Sequence, residues 1–174
     1  DRSGAPRCRA TIAFMFHLHH GTDIAQLSRL LQKVLRPHHL YHFSLDSSPN
    51  PQITDPDTGE QTTGVDLLTK QIRAIVSQNG PVRHLEISRA NIDVLYTGQS
   101  LLHSQVLAMR DLLRSDVPPW DFVMNLSAAD YPIKSVEFIE RQLAARGVLS
   151  WTESFLQVPT YANGRQLYGW FIEC

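Results

Sequence analysis

Trp120-Asp121-Phe122-Val123-Met124-Asn125-Leu126-Ser127-Ala128-Ala129-Asp130-Tyr131-Pro132 is an apolar run that passes directly into a small-residue turn closed by a carboxylate and a proline. Phe122–Leu126 is rich in β-formers and predicts a buried strand. Ser127-Ala128-Ala129 leaves room for another group to approach closely, and Pro132 ends ladder pairing. Asp130 therefore falls just past the C-terminal end of a strand. In open α/β sheets ligands bind at those ends, so the segment points to a site as well as to a strand. An ordinary strand-to-helix turn is the plainer reading of the same residues, because a short motif needs structural context.

Working outward, the hydrophobic period alternates between two and 3.6. Residues 11–19 form a near-continuous apolar run suited to a buried strand, and Asp23-x-x-Gln26 opens a helix in the manner of a capping box. Its stripe is Ile24, Leu27, Leu30, Leu31, Val34 and Leu35, and Arg36-Pro37 ends it before a second strand at 40–45. Asp46 thus also stands at a strand's C-terminal end. Residues 47–64, with three prolines and turn-forming Asp, Asn and Gly, predict a surface loop. Next comes a helix carrying Val65, Leu68, Ile72, Ile75 and Val76, closed by Asn79-Gly80-Pro81. A third strand at 82–87 precedes a third amphipathic helix at 100–113, striped by Leu101, Leu102, Val106, Met109 and Leu113. After the opening strand, Ser135 caps a helix through Val136, Ile139 and Leu143, and Gly147 ends it before Leu149 and Trp151. This β-α-β-α-β-α-β-α order predicts an α/β, Rossmann-like fold with a mostly parallel sheet and helices on both faces.

The 174 residues are 43% hydrophobic and 19% charged, which suits one globular unit spanning 1–174. Sixteen basic residues balance 17 acidic ones, so neither a nucleic-acid surface nor a polybasic membrane patch is indicated. No apolar run approaches the roughly 20 residues that span a bilayer, and residues 1–10 lack a signal-peptide core. Because the chain begins and ends abruptly, it reads as a soluble fragment of a longer product. G-x-G-x-x-G, G-x-x-x-x-G-K-[ST] and G-x-S-x-G are all missing, which removes support for dinucleotide oxidoreductases, P-loop enzymes and typical serine hydrolases. Cys8 and Cys174 make no C-x-x-C; they can pair with each other, pair elsewhere or stay as free thiols.

His17, His19 and His20 crowd the end of the first strand, and His38, His39 and His42 flank the second. Period two puts His17 and His19 on one face, where two imidazoles suit zinc. A third ligand and an open position are still needed, and no H-E-x-x-H or Cys/Asp cluster supplies them. Strand-end histidines bonded to backbone or ligand are the simpler reading. Asn125-Leu126-Ser127 is a formal glycosylation sequon, discounted by its place in a strand expected to be buried.

Several of these segments, in order, resemble the donor-binding half of the core-2/I-branching glycosyltransferase family, most closely its peptide O-xylosyltransferase branch. They are Ile12-Ala13-Phe14, His20-Gly21, Leu45-Asp46, Gly98-Gln99-Ser100-Leu101-Leu102, Met109-Arg110-Asp111-Leu112-Leu113, Trp120-Asp121-Phe122, the run 125–133, and Phe171-Ile172-Glu173-Cys174. The resemblance implies a GT-A-type nucleotide-sugar fold and a UDP-sugar donor. It also implies inverting transfer, xylose from UDP-xylose to serine of a proteoglycan-type core protein, with no obligatory divalent metal. UDP-glucuronate or UDP-N-acetylglucosamine transfer, a noncatalytic nucleotide-binding module and a zinc hydrolase are the alternatives.

By position, Leu18 matches the family residue lining the uracil pocket, Asp46 the carboxylate on the nucleoside, and Val94-Leu95-Tyr96 the next donor contact. An apolar strand end can cover a flat base, and a fixed carboxylate accepts from uracil N–H or ribose hydroxyls. Where the xylosyltransferases have Trp-Gly-Gly and His-Val-Asp, this chain has Tyr96-Thr97-Gly98 and Ser44-Leu45-Asp46, and its 47–64 loop is longer. Asp130 is read as shaping the pocket. The resemblance places the catalytic base and the cations for the leaving diphosphate beyond Cys174, so the fragment alone is expected to be inactive. It further implies an acceptor protein or glycan as partner, and Golgi or ER-lumenal residence as a type II membrane protein anchored outside these residues.

Overall fold

Strand β1 (Ile12–Leu18) is buried along almost its whole length, and the sheet is built around it. The computed structural model describes residues 9–46, 50–90 and 99–146. In chain order the elements after β1 are α1 (Ile24–Val34), β2 (Leu40–Asp46), β3 (Gln52–Thr54), β4 (Gln61–Thr63), α2 (Gly64–Gln78), β5 (His84–Ala90), α3 (Gln99–Leu112), β6 (Phe122–Leu126) and α4 (Val136–Arg146). Four strands pair in the order β5-β2-β1-β6, all parallel. Phe14 stands opposite Tyr41 and Met124, and Phe16 opposite Phe43 and Leu126. A Rossmann-like arrangement follows, as the alternation of periods predicts.

The right-handed crossover rule explains which helix covers which face. Connections β1-α1-β2 and β2-α2-β5 step in one direction across the sheet, and α1 and α2 share a face. The connection β5-α3-β6 steps back past β2 and β1, which puts α3 on the other face. Ile12, Phe14, Phe16, Leu18, Tyr41, Phe43 and Leu45 form the core with α1, α2 and Val136 of α4; Ala13, Met15 and Leu40 pack against Ala108 and Leu112 of α3. Phe16 stacks on Phe43 at 4.8 Å and Phe14 on Tyr41 at 5.6 Å, so the ladder is reinforced by cross-strand rings. The Tyr41 hydroxyl donates to Val34 O (2.8 Å) and accepts from Arg36 N–H (2.7 Å), which satisfies the end of α1; burial pushes this phenol above its usual range.

The helix signals hold locally. Asp23 accepts from Gln26 N–H at 3.1 Å, Ser135 from Phe138 N–H at 3.2 Å, and Gly80 takes φ +98° after the Asn79 cap. Three expectations are corrected. The 47–64 segment is not all loop: β3 and β4 pair as an antiparallel hairpin, with residues 47–49 outside the described set. Asp55 seals the hairpin turn by accepting from Asp57 N–H (2.9 Å), and Lys70 of α2 pins it through an ion pair of 2.7 Å. Strand β6 is only half-buried, with Asn125 exposed, because among the described residues it pairs on one side alone. Helix α3 turns Ser104, Ala108 and Leu112 inward and leaves Leu102, Val106 and Leu113 in solvent, so three of the five residues of the expected core stripe face away from the sheet. Gly147, Leu149, Trp151 and both cysteines lie outside the described residues. Among the described residues no helix is long and apolar enough to cross a membrane.

Phe16→Ala is expected to lower stability by about 3–5 kcal/mol through the cavity between stacked rings. Leu113→Ala, at 70% exposure, should stay within about 0.5 kcal/mol of the parent. Urea denaturation of both variants checks the pair.

Candidate functional site

The strand order reverses at β1: the chain leaves it towards β2 on one side and later returns to β6 on the other. The C-terminal ends of β1 and β6 therefore flank a topological switch point, where backbone turns diverge and leave a crevice. On the β1 side, the turn after Leu18 folds on itself. Gly21 N–H donates to His19 Nδ1 (3.0 Å), His19 N–H to Thr22 Oγ1 (3.2 Å) and Thr22 N–H to His19 O (2.9 Å). A Cβ at Gly21 would meet the His19 ring at 3.0 Å, so glycine lets this turn close. On the β6 side, Asp130 Oδ2 accepts from Ser127 N–H at 2.6 Å and Ser127 Oγ from Ala129 N–H at 3.3 Å. Gln26 Nε2 reaches Ala129 O at 3.5 Å and links the two lips across the switch.

Asp130 thus shapes the turn through its own backbone contact. Leu18 and Asp46 are on adjoining strand ends, since Leu18 pairs with Leu45. Leu18 is 3% exposed and packs in the core beneath the crevice, while Asp46 is half-buried on the α3 side of the sheet. Val94, Leu95 and Tyr96 lie outside the described residues. At the next strand end Arg89 is ion-paired with Asp66, which also accepts from the Thr63 hydroxyl at 2.6 Å. The N-terminus of α2 sits tight against the β1 turn, where a Cβ on Gly64 would meet His20 Cβ at 2.8 Å.

The histidines divide among four places. His19 belongs to the β1 turn. His17 enters the interface with α3, its Nδ1 3.2 Å from Ser104 Oγ, and Ser104 Oγ is 3.2 Å from Ser44 Oγ. Burial, with His42 adding to it, lowers the His17 pKa to about 4. Neither His17 nor His19 gains a third metal ligand among the described residues. Sequence reasoning missed Ser44 and Ser104 because an isolated serine carries no motif; their inward register is a tertiary fact.

Two other groups have the composition of metal sites. His38, His39 and Glu140 meet at the far end of the sheet, with both imidazole Nε2 atoms 3.0 Å from Glu140 Oε1. His39 Nδ1, however, accepts the first amide of β1, Ile12 N–H, at 3.2 Å, which assigns the proton to Nε2 and leaves no lone pair there for a metal. The His39 contact with Glu140 has ion-pair distance without hydrogen-bond alignment. His42, Glu86 and Asp111 form the second group, but Arg114 already holds both Glu86 oxygens at 2.8 and 3.2 Å. A cation is in place.

Burial also lowers the His39 pKa to about 3 and that of His42 below its usual value, although Glu86 and Asp111 pull His42 the other way. A histidine kept neutral by the fold stabilises it fully above pH 6.5, and that stability is lost as pH falls, because the unfolded chain takes up the proton first. Between pH 6.5 and 4.5 His17 and His39 each remove up to about 1.4 kcal/mol per pH unit. Urea midpoints at pH 7 and pH 5 should show this decline, and His39→Gln should reduce its slope; equal slopes would count against a neutral His39.

A model of the Core-2/I-Branching enzyme matches residues 12–166. Xylosyltransferase 1 of Canis lupus familiaris is 32% identical over 134 residues, 75% of this chain and 12% of that protein. Xylosyltransferase oxt of Drosophila melanogaster is 29% identical over 137 residues, 79% and 13% respectively. Xylosyltransferase 2 of Canis lupus familiaris is 30% identical over 126 residues, 72% and 12%. The chain spans about an eighth of the length of these curated relatives.

Proposed function

Because this chain belongs to the core-2/I-branching enzyme family, we propose that it forms the donor-binding half of a glycosyltransferase that takes a UDP-sugar. The observation that carries the reading is the adjacency of Leu18 and Asp46 at parallel strand ends beside the β1/β6 switch point. Leu18, buried at the end of β1, backs the base site from within the core, and Asp46 accepts from a uracil N–H or ribose hydroxyl. Val94, Leu95 and Tyr96, which precede α3 in sequence, complete the donor contacts. A GT-A-type fold is part of the same proposal.

UDP-xylose is the proposed donor and a protein serine the proposed acceptor, supported by relatives that carry the name xylosyltransferase. Transfer with inversion needs a base to deprotonate the acceptor hydroxyl and cations to stabilise the leaving diphosphate. Those groups come from outside this chain in the proposed mechanism; Arg89 is already engaged by Asp66. What these residues supply is donor binding and orientation. Residence in the Golgi or ER lumen, with membrane attachment through another segment, is part of the same proposal.

Isothermal titration of the chain with UDP tests it. Asp46→Asn should weaken UDP by at least about tenfold, as expected for loss of a hydrogen bond to a charged acceptor. Titration with UDP-xylose, UDP-glucuronate and UDP-N-acetylglucosamine then ranks the sugars. No measurable UDP binding by the parent chain would instead favour a noncatalytic α/β module.

A further inference from the structure

Helix α3 is attached to the sheet by different chemistry at its two ends. Towards its C-terminus, Ala108 and Leu112 pack on Ala13, Met15 and Leu40 in an apolar patch, with the Asp111–His42 contact and the Arg114–Glu86 ion pair at its margin. Towards its N-terminus, which is the ligand end, the buried contact is polar. Ser104 is 2% exposed and its hydroxyl lies 3.2 Å from both His17 Nδ1 and Ser44 Oγ. An apolar patch tolerates sliding, whereas a buried hydroxyl with two directional partners does not; a slip leaves polar groups unpaired.

The direction of α3 makes this register matter. Ser104 stands at Ser44, while Asp111, farther along the helix, stands at His42, so α3 runs antiparallel to β2. Ser44 and Asp46 share a face of β2, about 6.6 Å apart along the strand. Ser100 lies one turn before Ser104 on the same side of α3, about 6 Å along the helix axis. Ser104 pinned to Ser44 therefore brings Ser100, in the first turn of α3, to the level of Asp46.

We propose that Ser104 is a positioning residue for the nucleoside diphosphate. Bonded to His17 and Ser44, it sets the first turn of α3 against Asp46 and so completes the α3 side of the donor pocket. This rests on the reading of Asp46 as a UDP contact.

The test is UDP titration of the whole chain alongside thermal melting. Ser104→Ala should weaken UDP by about fivefold or more, the scale of one hydrogen bond. Leu112→Ala, which loosens the same helix at its apolar end, should lower the melting temperature more yet keep UDP affinity within about twofold. Ser104→Thr, which keeps the hydroxyl but crowds the interface, should melt lower and still bind UDP within about twofold of the parent. Should Ser104→Ala fail to fold, Ser44→Ala, which leaves the His17 contact intact, is expected to show the same weakening. Unchanged affinity in Ser104→Ala, or in Ser44→Ala where it stands in, overturns the proposal, as does an equal loss in Leu112→Ala or no rescue by Ser104→Thr. A parent chain that does not bind UDP overturns the donor-pocket reading first and this proposal with it.

Discussion

Parallel pairing of β1 on both sides is the constraint on which the rest depends. A strand hydrogen-bonded on two edges and covered on two faces has little contact with water, so its polar groups must be met inside the protein. Its first amide, beyond the reach of the ladder, is met by His39 Nδ1. Its side chains alternate between the stacked rings under α1 and α2 and the smaller Ala13 and Met15 under α3. Once β1 is central and the crossovers are right-handed, the position of the switch point and the side taken by each helix follow.

The same constraint separates the polar groups at the two edges of the sheet. At the N-terminal edge of the sheet, His38, His39 and Glu140 join α4 to the strands β1 and β2, and Arg36 adds a 2.5 Å ion pair to Glu137 that holds this carboxyl down at about 2. At the C-terminal edge the polar groups belong to turns: the His19 turn, the Asp130 turn and the Gln26 link between them. Buried charge is held at the bottom, whereas at the top backbone turns stand beside the exposed Arg89–Asp66 pair. That division suits a fold whose lower edge carries stability and whose upper edge receives a ligand.

Helix α3 departs from this economy. It is apolar towards the sheet through Ala108 and Leu112 and apolar outward through Leu102, Val106 and Leu113. A helical stripe in sequence says which residues share a side but not which side meets the core. Here small residues were needed inward, because Ser104 and Ala108 let the helix approach the strands closely, and the larger side chains were left outside.

Much of the fold was legible in the sequence. Buried parallel strands read as continuous apolar runs, the caps Asp23 and Ser135 and the stop at Gly80 act over a few residues, and the stripes of α1 and α2 fall on the core as spaced. Such signals are local, so one stretch of chain contains them whole. The motif order from Ile12 to Asp130 likewise carried the family. What the tertiary structure decided was every relation across distance: the hairpin within 52–63, the outward turn of the α3 stripe, the exposure of Asn125, the burial of Leu18, and the meeting of Ser104 with His17 and Ser44. The two serines lie 60 positions apart in the chain, and no local pattern marks either one. Packing against strands that are themselves distant in sequence is what brings their hydroxyls together.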